Sequence, residues 1–392
     1  MLLNYIFNIE MRMSVFPEAI MKIFPFLKTL PVVAAGIAAI IVSCNFPYKP
    51  EPFVLPEQPY KFPSRTDIQN FFDTTNVKIA YTLKENGART VYFVEFNDSA
   101  PSPKKLKKPA GKENINADSP LLSPDGTFTA YYLTNGLSIF GAYIQRLDVS
   151  ADPVLVASYG TEPHWWKDSS GQVYIVFSDQ MLVSSLDPGI GKTYRQQVSL
   201  TGNGSLVGAV EEIAPYPMNG GLSSDGRYLC TGYAPAAFYD LVAKQLTLIN
   251  QTFQVCNPSI DPDSAHPDRM MFLNFYGQQN MINPFKDSTD YPADVGGNIP
   301  QHAVLFIADA SDTVRDFIPI SIMGGTYQEW QDPEWSNNPS YAAALALIDD
   351  SQADGVIIKN IGSRTSTNQK LVFTRGNGKL NVTSTPYVWI GN

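Results

Sequence analysis

Ser119–Tyr132, "SPLLSPDGTFTAYY", reads as a short strand, a tight turn built on Asp125-Gly126, and a second strand. Asp and Gly tolerate the backbone conformations that a hairpin turn requires, and the flanking apolar runs have strand lengths. Related phrases return as "EPHWWKDSSGQVYIVF" (162–177), "NGGLSSDGRYLCTGY" (219–233), "NPSIDPDSAHPDRMMFLNF" (257–275) and "DPEWSNNPSYAAALAL" (332–347). Aligned on Pro120, Pro163, Gly220, Pro258 and Pro333, every copy places a large apolar side chain two residues on: Leu122, Trp165, Leu222, Ile260 and Trp335. Two further strand-like runs follow each phrase, as "AYIQRLDV" and "PVLVA" follow the first. Each unit is therefore expected to be a four-stranded antiparallel meander, and a fixed repeat of such units decides the fold.

A sixth unit emerges when the chain ends are combined. "STPYVWIGN" (384–392) supplies the first strand, with Pro386 and Val388 in the shared slots. "VKIAYTL" (77–83) and "TVYFVEF" (90–96) supply the second and third. One sheet built from both ends closes a ring. The predicted fold is all-β, a six-bladed β-propeller of four-stranded antiparallel blades, and radial repetition of this kind protects sheet edges. The 392-residue composition agrees: 44% hydrophobic, with 30 Pro, 27 Gly and 42 Tyr plus Phe, it favours many short strands joined by turns.

The N-terminal region reads differently. Lys22 and Lys28 precede the apolar run Leu30–Val42, which at 13 residues is shorter than the ~20 a spanning helix needs and fits a secretory signal. It ends in "IVSC", Ile41–Cys44, which resembles a bacterial lipobox. That resemblance implies lipidation of Cys44, a signal region over 1–43 (with 1–20 an extension upstream of the natural start at Met21), and anchorage in a membrane. Asn45 after the cysteine implies the outer membrane of a bacterial envelope, with the periplasmic or surface side left open. Residues 44–68 follow as a tether with six prolines between Asn45 and Pro63, and the propeller is expected over 69–392.

The phrase P-x-W/L-S-P-D-G-x-x-x-A-Y, as it stands in Ser119–Tyr131, resembles the repeat of TolB-type (WD40-like) propellers, over about residues 70–392. The resemblance implies the fold and leaves activity open, because such propellers bind proteins or glycans or support catalysis.

Charge narrows the partners. Without residues 1–43 the chain keeps 25 bases against 35 acids, a sign opposed to nucleic-acid binding. The one basic run, "KKLKK" (104–108), reads as a solvated edge strand. "PGIGKT" (188–193) has Leu186 where a phosphate-binding loop needs its first glycine, so no nucleotide is expected. Asp261, Asp263, His266 and Asp268 form an oxygen-rich set that could hold Ca²⁺, although the pattern lacks the glycine and closing glutamate of a known loop. Beyond Cys44 only Cys230 and Cys256 remain, and an oxidising compartment would permit a disulfide between them. No G-x-S-x-G elbow is present, because "GLSSD" ends in Asp225.

Loop lengths point to one face, the top, where 106–118, 200–218, 276–301 and 321–331 are expected to cluster, opposite the short S-P-D-G turns. Residues preceding the marker position should ring the channel mouth: Ser119, Glu162, Asn219, Asn257, Asp332 and Thr385, with Leu121, His164, Gly221, Ser259, Glu334 and Tyr387 one step further in. Trp165 and Trp335 occupy the packing slot, and Trp166 and Trp389 read as core on the other sheet face. Trp330, with Phe285 and Tyr291 in the long insertion, reads as an aromatic platform for a ligand. The expected ligand-binding set is Glu162, His164, Asn219, Asn257, Trp330, Asp332, Phe285 and Tyr291. The function expected is that of a membrane-anchored envelope lipoprotein whose top face binds a protein or polysaccharide. The alternatives are a glycan-cleaving enzyme, using Glu162 with Asp332 or Glu334 with His164, and a structural scaffold of an envelope complex.

Overall fold

The structure is a computed structural model that describes residues 62–392 except 86, 137, 181–189, 233–235, 250–254, 275–280, 290, 292–299, 350–351, 363–367, 373–381 and 392. The expected signal region, Cys44 and the expected tether up to residue 61 lie outside the described residues. All described residues belong to the compact unit Tyr48–Asn392.

Each phrase folds as expected. In the second blade β4 (Asn116–Leu122), β5 (Phe128–Asn135), β6 (Ser138–Arg146) and β7 (Val154–Ala157) pair in sequence order. The third blade contains β8 (Thr161–Lys167), β9 (Val173–Ser178), β10 (Thr193–Ser199) and β11 (Ser205–Ala214). In the fourth, β12 (Tyr228–Thr231), β13 (Ala236–Asp240) and β14 (Gln245–Ile249) form the sheet, and the Gly220-Gly221 segment joins it through a bridge between Leu222 and Leu229. The fifth has β15 (Val255–Ile260), β16 (Arg269–Asn274), β17 (Val304–Asp309) and β18 (Val314–Pro319). The sixth has β19 (Glu329–Trp335), β20 (Tyr341–Asp349), β21 (Gln352–Lys359) and β22 (Gln369–Val372). The first blade combines β1 (Val77–Glu85), β2 (Ala88–Glu95) and β3 (Lys104–Lys105) with the C-terminal β23 (Val382–Ile390), which pairs with β1 from Val77↔Ile390 to Leu83↔Val382. The six sheets form a ring. The chain is a six-bladed β-propeller, closed by its own two ends.

The S-x-D-G turns repeat atom for atom. Ser123 Oγ donates to Asp125 at 2.6 Å and accepts from the backbone N–H of Phe128 at 2.9 Å; Ser223 does the same with Asp225 at 2.6 Å and Tyr228 at 2.8 Å. The turn glycines Gly126 (φ 68°) and Gly226 (φ 74°) each lie under a tryptophan of the preceding blade, Trp389 and Trp166. A side chain on Gly126 would put its Cβ 2.5 Å from the Trp389 ring.

Three features depart from the sequence expectation. Residues 65–68, assigned to the tether, begin a helix, α1 (Arg65–Phe72). Ser64 and Asp67 cap it reciprocally, and Ile68 and Phe72 enter the core between the first and sixth blades. The segment 200–218 is not a top loop, because most of it is the ten-residue strand β11. Its hairpin, turned by Gly202 and Gly204 at positive φ, lies at the S-P-D-G end: Gly204 abuts Phe128 and Ile144, and Arg146 donates to the Gly202 carbonyl at 3.3 Å. Part of the 276–301 insertion also leaves the top. Ile282 pairs in parallel with Thr313, beside the outer edge of the fifth blade. As expected, Lys104–Lys105 forms an edge strand, and Lys104 meets Glu95 at 2.7 Å and Asp98 at 2.8 Å. No helix among the described residues is long and apolar enough to cross a membrane.

Candidate functional site: the channel mouth

The marker proline interrupts the innermost strand of most blades. Proline cannot donate to the ladder, and the pairing register slips at that point: between Asp118 and Leu121, Thr161 and His164, Cys256 and Ser259, and Gln331 and Glu334. The residue before each proline adopts a left-handed backbone: Ser119 at φ 45°, Glu162 at 47°, Asn257 at 50° and Asp332 at 43°. A non-glycine residue held there costs roughly 1–3 kcal/mol, and such strain persists only where the surroundings over-determine it. Four copies of the same bulge turn polar side chains out of the sheet plane toward the axis. In the fourth blade Asn219 fills the position, with Gly221 taking positive φ.

These side chains connect blades. Arg89 of the first blade pairs with Asp118 of the second. Glu162 of the third faces Asn219 of the fourth, whose amide favours its charged form and whose Oδ1 accepts from Thr231 at 2.7 Å. Asn257 of the fifth donates through Nδ2 to Asp332 of the sixth. One step further in, Ser259 donates to Glu334 Oε1 at 2.8 Å and accepts from the Trp335 N–H at 3.0 Å. The same Glu334 oxygen lies 3.7 Å from His164 Nε2, joining the third blade to the sixth across the axis. Space for the imidazole comes from Gly221, where a Cβ would stand 3.0 Å from the ring.

Burial dominates the electrostatics. Desolvation pushes the Glu162 carboxyl up to about 8, with Asp118 and Asp332 adding to the rise against the Asn219 amide and His164. Asp332 is pushed up to about 7 by burial and then by Asp118, against Arg89 and Asn257. Burial would lower His164, but Glu334 and Glu162 outweigh it and hold the ring above the usual histidine range. Tyr132, from the second strand of its blade, is raised well above the usual phenol range by burial and by Asp118, Glu162 and Asp332.

Of the expected binding residues, the structure brings together Glu162, His164, Asn219, Asn257 and Asp332. Trp330 is not among them: it lies inside β19, 0% exposed, with its indole N–H on the Ile318 carbonyl at 3.1 Å. Alternation along β19 puts it in the core rather than in a loop. Phe285 and Tyr291 also fall elsewhere, with rings 5.9 Å and 4.9 Å from Phe317 of β18, where they pack against the fifth blade. Thr385 lies outside the residues whose side chains are described. Sequence reasoning missed Asp118, Arg89 and Tyr132. Asp118 could have been found, as the neighbour of a marked residue; Arg89 carries no repeat signal.

Two further expectations concern Cys230 and Asp261. Cys230 is a buried thiol, free among the described residues, whose Sγ lies 3.3 Å from the Gly220 carbonyl; the side chain of Cys256, its expected disulfide partner, lies outside the described residues. Asp261, of the Ca²⁺ candidate set, sits where Ser123 and Ser223 close their turns; it accepts from the Asp263 N–H at 2.8 Å and pairs with Arg269 at 2.5 Å. A guanidinium thus already faces that carboxylate. Among the described residues no group of three or more His, Cys, Asp or Glu could hold a metal ion.

No family model matches the chain, and no curated protein matches it. Solved structures similar to it include TolB from Acinetobacter baumannii, with 13% identity, TM-score 0.48, covering 82% of this chain and 69% of that one. The β-propeller domain of the trilobed protease from Pyrococcus furiosus has 12% identity, TM-score 0.39 and coverage of 77% and 96%. A prolyl endopeptidase has 15% identity and TM-score 0.38; the match covers 82% of this chain but 53% of that enzyme.

Proposed function

We propose that the protein is a lipid-anchored binding module of the bacterial envelope, whose channel mouth receives a protein or polysaccharide ligand. The observation that carries the reading is the repeated left-handed bulge at Ser119, Glu162, Asn257 and Asp332. Strand pairing gains nothing from four strained residues; a ring of convergent polar groups does. The lipobox-like "IVSC" and the proline-rich tether supply the anchor and the reach. Cys44→Ser should abolish incorporation of labelled palmitate and move the protein from the membrane fraction; continued labelling would remove the anchor.

Mouth binding is tested with Asn257→Ala, which removes the bond to Asp332 without touching the core. Wild type should retain a ligand from a panel of envelope-protein extracts and polysaccharides, and the variant should lose it. Equal retention would move the binding surface elsewhere. One observation favours a second reading, glycan cleavage: the Glu162 carboxyl, at about 8, is protonated at neutral pH as a general acid must be. Release of new reducing ends from oligosaccharides, lost in Glu162→Gln, would support it.

A further inference from the structure

The three blade-to-blade pairs of the mouth use only part of their carboxylates. Asp118 is engaged by Arg89 and Asp332 by Asn257, while Glu162 faces Asn219. The Glu162 Oε2 atom is buried and has no hydrogen-bond partner. A buried oxygen left in that state costs about 1–3 kcal/mol, more if ionised. Arg89 is committed to Asp118, while the His164 ring, 3.7 Å from Glu334 and without a hydrogen bond at Nε2, is shared between Glu334 and Glu162. The mouth thus presents acidic acceptors from the second, third and sixth blades, with one carboxylate oxygen still open to a donor.

We propose that the mouth seats a cationic side chain, an ammonium or guanidinium, from a basic segment of a protein partner, between Glu162 and Asp332. This rests on the mouth being the binding surface. Two observations favour a basic protein segment over a glycan. Trp330, Phe285 and Tyr291 are buried or packed against the fifth blade, so they form no stacking platform at the mouth. The chain without its signal region is strongly acidic, which draws basic partners. A bound cation would favour the ionised carboxylates, so binding must release protons. Asp118, Glu334, His164, Arg89 and the phenols of Tyr132 and Tyr387 face the same space, and Glu162 and Asp332 are the two carboxyls raised toward neutrality.

The test is calorimetry on the full chain in detergent, with a peptide carrying one lysine, the same peptide with that lysine acetylated, a cello-oligosaccharide and a chitosan oligomer. The lysine peptide should bind at least about tenfold more tightly at pH 8.5 than at pH 6, because the carboxyls must lose protons. Acetylation, Glu162→Gln and Asp332→Asn should each weaken it at least about tenfold, with melting temperatures confirming folded variants. Equal binding of the acetylated peptide, indifference to both substitutions, or no binding of the lysine peptide at millimolar concentration overturns the inference. If a glycan binds and Asn257→Ala removes it, the mouth stays the binding surface and the basic-protein assignment falls. If no probe of either class responds to a mouth substitution, both fall.

Discussion

Glu162 and Asp332 store free energy that depends on pH. Both have folded-state values above the ordinary carboxylate range, about 8 and about 7. The folded state therefore holds more protons than the unfolded chain between about pH 4.5 and 8, and stability falls as pH rises through that window. Glu162→Gln should flatten the dependence and stabilise the protein by a few kcal/mol at pH 8, measured by urea unfolding at several pH values. An unchanged slope would mean the carboxyl is solvated. Trp330 provides the contrasting case. Fully buried, it should cost about 3–5 kcal/mol on Trp330→Ala. The channel-mouth residues were legible because the repeat fixes their phase: each precedes the marker. Trp330 misled because its distance from the marker did not reveal where the strand begins.

At the scale of the element, the turn glycines answer to two different demands. Gly126 needs positive φ and also lies under Trp389, and Lys78, 5.7 Å from that ring, donates to the Gly126 carbonyl at 2.8 Å. Gly126→Ala should cost about 2–4 kcal/mol, combining backbone strain with overpacking. Gly136, at φ 62° and with no atom within 4 Å of where a Cβ would stand, should cost about 1 kcal/mol for the same change. Comparing the two by thermal unfolding separates conformation from contact; equal losses would show that the tryptophan simply moves aside. The S-x-D-G turns were readable because Ser, Asp and Gly act through local bonds. The strand β11 was not. Its Gly202 and Gly204 looked like loop composition, yet they turn a hairpin onto Phe128 and Ile144 of the neighbouring blade, a contact no local pattern encodes.

For the molecule as a whole, closure depends on β23. The ladder from Val77↔Ile390 to Leu83↔Val382 joins the last strand to β1, and Asn337 of the sixth blade bonds Ile390 through both its donor and its acceptor at 2.8 Å. Deleting residues 384–392 should abolish the cooperative unfolding transition and leave a species that binds hydrophobic dyes. A sharp transition in the truncated chain would show that five blades suffice. The six-fold architecture was the most legible property, because it is a count of repeats plus a match between two ends. The ligand was least legible, since polar residues at a channel mouth specify hydrogen-bonding capacity before identity.

The same closure sets a timetable for biosynthesis. Because the strand that completes the first blade is Val382–Ile390, a ribosome must have made about three hundred further residues before β1 acquires that partner. Until then β1 waits with one edge bare, so the interval between its emergence and that of β23 is the period of greatest exposure to aggregation, and to any chaperone that guards strand edges.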